Sequence, residues 1–161
     1  MNRSVGYLLL AIASSLWGNG TNSCSLSAQQ SDKKDAMLRD VRKLQGVWYH
    51  ASREEKGKQV VGEVPEVLIA FRENVVVFKK GMDVSQVCAL KNINAVATPK
   101  TFDLVITDGP NEGMTIKAIY EIKDDFFRYC GGVDVRPNSF TTTPDDKTYI
   151  YCSSYKRMSK K

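Results

Sequence analysis

Apolar and polar residues alternate along most of the chain, and this period of two predicts short β-strands. The clearest stretch runs from Met114 to Ile122, with Ile116 and Ala118 on one side and Lys117 on the other. Seven further strands are predicted over Gly46–Ala51, Val67–Phe71, Asn74–Phe78, Gln86–Leu90, Phe102–Thr107, Phe126–Cys130 and Tyr149–Tyr155. The fold class is therefore all-β.

The links between these strands are short, which requires antiparallel neighbours. The link Asp108–Gly113 holds two glycines and a proline, and Lys123–Asp125 has only three residues. Eight short strands in this order fit an up-and-down barrel or a sandwich. We favour an eight-stranded antiparallel barrel because closure removes the exposed edges that invite aggregation.

A different spacing precedes the strands. Met37, Leu38, Val41 and Leu44 recur at helical intervals, which predicts a short helix over 35–44. The polar residues 29–34 before it are expected to form a linker.

The first 28 residues resemble a secretory signal peptide. Arg3 supplies the positive charge, and Val5–Trp17 is an apolar run too short to span a membrane. Ser27 and Ala28 form a cleavage point; an uncleaved anchor or a buried core helix are the alternatives. We expect an exported protein, located in the periplasm, the cell envelope or outside the cell.

Cys24 offers a second interpretation of this segment. A cysteine shortly after an apolar run can be the lipidated first residue of a lipoprotein, and Ser23 suits that motif, whereas Thr21 and Asn22 do not. Lipidation of Cys24 would tether the domain to a membrane. Otherwise no membrane association is expected.

Composition limits the chain to one domain. Its residues are 42% hydrophobic and 25% charged, which is typical of globular proteins. Its length of 161 residues is too short for an enzyme with two lobes. The predicted organisation is a signal peptide over 1–28, a polar linker and short helix over 29–43, a barrel over 44–157 and a basic tail over 158–161.

Three cysteines lie in the predicted barrel, namely Cys88, Cys130 and Cys152. Export would allow one disulfide and leave one thiol. We favour Cys130–Cys152 because these residues lie in the last two predicted strands; the other pairings, or three free thiols, remain open. A zinc site is not expected, since the chain has no C-x-x-C spacing and one histidine.

The formal charge is +5, but the basic residues are scattered along the chain. No lysine and arginine stripe with interleaved aromatics is present, so nucleic acid is not an expected partner. A weak preference for anionic surfaces of the cell envelope follows from the net charge.

Little in the sequence indicates catalysis. His50 has no evident nucleophile near it in sequence, so a hydrolase or isomerase that uses His50 is the least favoured hypothesis. Asp103, Asp108 and Glu112 surround one hairpin without the spacing of a calcium loop, and turn capping explains them better. No cofactor, metal or catalytic residue is predicted.

Several motifs resemble a known family. They are Gly46-Val47-Trp48, the segment Thr101–Met114 that contains Asp-Leu-Val-Ile-Thr-Asp-Gly-Pro, then Ile119–Ile122, Arg128–Cys130, Arg136-Pro137, Phe140 and Lys156-Arg157. In this order they are similar to a small secreted lipocalin-like (calycin) family found mainly in Planctomycetes and Verrucomicrobia. The resemblance implies an exported barrel over residues 44–157 with no catalytic residues to carry over. Cys88 and Cys152 depart from the family pattern.

The resemblance suggests roles for Trp48, Arg136 and Arg157. Trp48 is expected to close the floor of the barrel, with ligand contact as the alternative, and Arg157 either covers its indole or stays solvated. Arg136 is expected to act as a structural pin or as a rim contact.

A barrel of eight strands either fills with side chains or holds one small ligand. We expect binding of a small apolar ligand or a cell-envelope partner without enzymatic activity; a filled barrel that serves as an interaction module is the alternative. The predicted ligand-contacting residues are Trp48, Phe71, Leu104, Ile116, Tyr120, Phe127 and Tyr129.

Overall fold

Each long strand pairs antiparallel with the next, and the first long strand also pairs with the last. The computed structural model describes residues 23–60, 67–146 and 150–158. Its elements are α1 Ser23–Leu44, β1 Gly46–Glu55, β2 Lys58–Gln59, β3 Val67–Arg72, β4 Val75–Lys80, β5 Asp83–Asn94, β6 Lys100–Asp108, β7 Thr115–Lys123, β8 Phe126–Val133 and β9 Ile150–Arg157. The eight long strands close a barrel, which confirms the predicted fold class.

The helix is longer than predicted. It begins at Ser23 instead of Asp35, so the prediction of a polar linker over 29–34 is wrong. No glycine or proline interrupts Ser23–Leu44, and exposed polar residues with adequate helix propensity need no apolar face to continue a helix that is anchored further on. The predicted signal peptide lies mostly outside the described residues, and its cleavage stays a prediction.

The barrel has a closed end and an open end. The closed end carries α1 and the links at 73–74, 95–99 and 124–125, and the open end carries the alternate links. Asp40 of α1 is buried, and its carboxylate accepts hydrogen bonds from Tyr120 Oη and Lys100 Nζ, both at 2.8 Å. Leu44, fully buried at the end of the helix, adds an apolar contact to this seal.

Arg157 fastens the last strand over this end. Its guanidinium lies 4.0 Å from the centre of the Trp48 ring and donates to the carbonyl oxygens of Lys43 and Gln45. The expectation that Arg157 covers the indole is confirmed.

A β-bulge in β1 changes which residues face the interior. His50 pairs with Tyr155 and Ser52 with Ser154, so Ala51 is the extra residue. Trp48 and His50 face inward before the bulge, and Arg53 faces inward after it, because side chains alternate along a strand.

Cys130 and Cys152 are direct partners on β8 and β9 and form a disulfide, as predicted. The bond is consistent with an oxidising environment such as export provides. Cys88 is free and fully buried, and burial raises the pKa of its thiol to about 11.

Arg136 is a structural pin. Its guanidinium donates to the carbonyl oxygens of Phe102 and Ala118 and pairs with the carboxylate of Asp103. Asn92 also donates to Asp103 at 2.7 Å. The predicted turn-capping role of Asp103 is therefore wrong, since this buried carboxylate holds the loop after β8 against the outside of the barrel.

Candidate ligand-binding cavity

A cavity of about 460 Å³ enters the barrel from its open end. Its volume falls within the range of small-molecule sites. The apolar and aromatic part of its lining consists of Phe78, Ile106, Met114, Ile116, Tyr129, Val133, Tyr151 and Tyr155, and the polar part consists of His50, Arg53, Lys80, Ser85, Gln86 and Asn111. We call this space the open-end cavity.

Stacked aromatic rings form its floor. Tyr129 and Tyr155 stack with ring centres 6.0 Å apart, and Phe127 stacks against both at 5.8 Å. Phe127 in turn contacts Trp48 and Phe71, at 5.6 and 5.5 Å. Among the described residues, side chains therefore fill the closed half of the barrel, and the open-end cavity lies in the other half.

The predicted ligand-contacting residues divide along this boundary. Ile116 and Tyr129 line the open-end cavity. The other five, which belong to the packed closed half, are Trp48, Phe71, Leu104, Tyr120 and Phe127. Trp48 is fully buried, and its Nε1 donates to the carbonyl oxygen of Leu44 at 2.8 Å, the geometry of a floor residue.

The polar lining was not predicted from the sequence. Arg53 faces the cavity only because of the bulge at Ala51, which the sequence does not reveal. Lys80 could have been predicted to face inward, because Val76, Phe78 and Lys80 follow one alternation that continues past the predicted end of the strand.

The lining is electropositive. His50, Arg53 and Lys80 are basic, and no aspartate or glutamate is among the described residues that line the cavity. The guanidinium of Arg53 lies 4.4 Å from the centre of the Tyr151 ring and also forms an ion pair with Glu55, which does not line the cavity.

His50 is half-buried and stands edge-on to Tyr155, with ring centres 5.4 Å apart. Burial, and then the positive charge of Arg53, lowers the pKa of His50 below its usual value, so the imidazole is neutral at pH 7. Its Nε2 is buried and has no hydrogen-bond partner among the described residues. Such an atom calls for an explanation, because buried polar atoms are nearly always paired.

The tyrosine hydroxyls of the cavity are hydrogen-bond groups and not acids. Tyr129 Oη and Tyr151 Oη lie 3.2 Å apart, and burial raises the pKa of both phenols. Ser85 donates its hydroxyl to the carbonyl oxygen of Phe78, at 3.1 Å.

Within residues 23–60, 67–146 and 150–158, no group of three or more His, Cys, Asp or Glu side chains is placed to hold a metal ion. No helix in that same part combines the length and apolar character that a membrane crossing requires.

The chain has no match among family models, curated proteins or solved structures.

Proposed function

We propose that the protein is an exported, non-enzymatic binding protein that holds one small, largely apolar molecule in the open-end cavity. One observation carries this function: the barrel is filled at its closed end and leaves about 460 Å³ open at the other, between aromatic and aliphatic walls. A barrel that served only as an interaction module would need no such space.

Two features support export. The Cys130–Cys152 bond needs an oxidising environment to persist, and the first 28 residues have the charge and length of a signal peptide. Mass spectrometry of the protein from its own host tests this directly: a mature N-terminus near Gln29 supports cleavage, and a lipid on Cys24 identifies the tethered form. An intact Met1 with reduced cysteines would contradict export.

Membership of the lipocalin-like family is likewise a proposal. It is supported by the barrel itself and by the cover that Arg157 places on Trp48 at the closed end.

Binding is tested by titrating the protein with the neutral, apolar fluorophore N-phenyl-1-naphthylamine. Val133 lines the cavity, so Val133→Trp should block it and abolish the fluorescence increase. Val135 is half exposed and does not line the cavity, so Val135→Trp is the matched control and should bind like the parent protein. No binding by the parent protein, or equal binding by both variants, would refute the proposal and favour the interaction module.

A further inference from the structure

We infer that the open-end cavity selects an anionic ligand, namely a small amphiphile whose apolar body lies on the aromatic floor and whose single carboxylate lies among His50, Arg53 and Lys80. The inference rests on the proposed function and names the chemical class of the ligand.

The charge of the lining favours an anionic ligand. Two cationic side chains, Arg53 and Lys80, and the neutral imidazole of His50 face the cavity. The carboxylate that partners Arg53 belongs to Glu55, outside the lining. A wholly apolar ligand that filled the cavity would strip water from these groups and return no hydrogen bond, which costs free energy. A carboxylate would replace that water with charge-assisted hydrogen bonds, and guanidinium groups suit carboxylates especially well.

The lining of the cavity is divided into an apolar layer and a cationic layer. Phe127, Tyr129 and Tyr155 stack beneath the cavity, whereas Lys80 comes at the end of β4, at the open end of the barrel. A molecule that enters therefore meets an apolar floor and a cationic opening. An amphiphile with its charge at one end matches both layers at once.

Most polar groups near the cavity already have hydrogen-bond partners. Near the cavity, Ser85 and Gln86 donate to the backbone oxygens of Phe78 and Pro110, and the hydroxyls of Tyr129 and Tyr151 meet each other. Two buried side-chain atoms lack a partner in the described structure, His50 Nε2 and Ser153 Oγ, and of these two residues only His50 lines the cavity. If its imidazole turned toward the cavity, Nε2 could donate a hydrogen bond to a carboxylate oxygen of the ligand.

Binding should then be coupled to protonation of His50. Tyr155 stands edge-on to the imidazole, and the positive charge of Arg53, which is paired with Glu55, acts on it. Lys80, Tyr129 and Tyr151 belong to the same cavity lining. Arg53 opposes a positive charge on His50, and a bound carboxylate favours it. Affinity for the carboxylate should therefore rise as the pH falls from 8 to 6, and the variant His50→Gln should flatten this dependence.

The experiment compares three ligands that share one apolar chain. Octanoate, 1-octanol and octylamine are titrated into the protein by isothermal titration calorimetry, at low and high salt. We expect octanoate to bind at least tenfold more tightly than 1-octanol and octylamine to bind weakest, since a hydrogen bond to a charged group contributes about this factor or more. High salt should reduce the preference for octanoate.

Two substitutions separate a local contact from net charge. Lys80 lines the cavity and its neighbour Lys79 does not, yet each change to methionine removes one positive charge. Lys80→Met should weaken octanoate binding about two- to fivefold, in line with an exposed ion pair, and Lys79→Met should leave it unchanged. Arg53→Met should weaken octanoate binding tenfold or more and leave 1-octanol binding nearly intact.

The outcomes are distinct. If 1-octanol binds as tightly as octanoate, or if Lys79→Met and Lys80→Met have equal effects, the anionic selectivity is refuted and the proposed binding function stands. If none of the three ligands binds, and N-phenyl-1-naphthylamine also fails, the proposed function itself is refuted. Lys80 is exposed, so its variant tests the inference even if Arg53→Met fails to fold.

Discussion

Arg157 should contribute strongly to stability at the closed end of the barrel. Its side chain is 29% exposed, and its guanidinium contacts the fully buried Trp48 and two backbone carbonyl oxygens at the end of α1. The hydrogen bonds contribute about 1 kcal/mol each. The contact with the indole adds about 1 kcal/mol. The ion pair with Asp125 adds almost nothing, since that carboxylate is 82% exposed.

Arg157→Met, which removes the guanidinium and keeps most of the stem, should therefore lower the free energy of unfolding by about 3 kcal/mol. With a urea dependence of about 2 kcal/mol per molar, the midpoint should fall by about 1.5 M. The assay is urea unfolding of the oxidised protein, followed by tryptophan fluorescence and by circular dichroism.

Lys156→Met is the matched control. Lys156 precedes Arg157 on β9, is exposed, and carries the same charge, so its loss should change stability by less than about 0.5 kcal/mol. If the two variants unfold at the same urea concentration, the argument that Arg157 joins α1 to the barrel is wrong.

Three further predictions concern the core, the disulfide and the histidine. Asp40→Asn should destabilise the protein by roughly 2–4 kcal/mol in thermal unfolding, because a buried carboxylate with two donors loses its charge; an unchanged midpoint would contradict this. Replacing Cys130 and Cys152 by serine removes a link over 22 residues and should cost about 3 kcal/mol in urea; a loss below about 1 kcal/mol would argue against that estimate. The pKa of His50 is lowered from 6.5 in the folded state, so below pH 6.5 the unfolded chain binds the extra proton and stability falls. His50→Gln should reduce this fall between pH 7 and 5, and a slope equal to that of the parent protein would exclude the effect.

The alternation in the sequence predicted the barrel well because one side of each strand faces a continuous core. All eight predicted strands exist, mostly with longer ends. β2 was missed because its two residues are too few to show a period. Ile119 interrupts the alternation of β7 for a tertiary reason: it points outward and is buried at 1% exposure, and Cys130 of the disulfide is its partner on β8.

The cavity was less predictable than the barrel. The alternation of apolar and polar residues identifies side chains that face inward. It does not show where along the barrel axis the packed core ends and the cavity begins. Phe127 and Tyr129 are neighbours on the same face of β8, yet only Tyr129 reaches the open-end cavity. The inward direction of Arg53 could not be predicted, because the extra residue Ala51 reverses the direction of the side chains that follow it on β1.

Because α1 packs on one end of the barrel, the two ends of the barrel differ. The last turns of α1 seal the end of the barrel opposite the cavity, and 22 helical residues measure roughly 33 Å. If Cys24, near the start of this helix, carries a lipid, the membrane would hold the barrel by its closed end. The open-end cavity would then face away from the membrane.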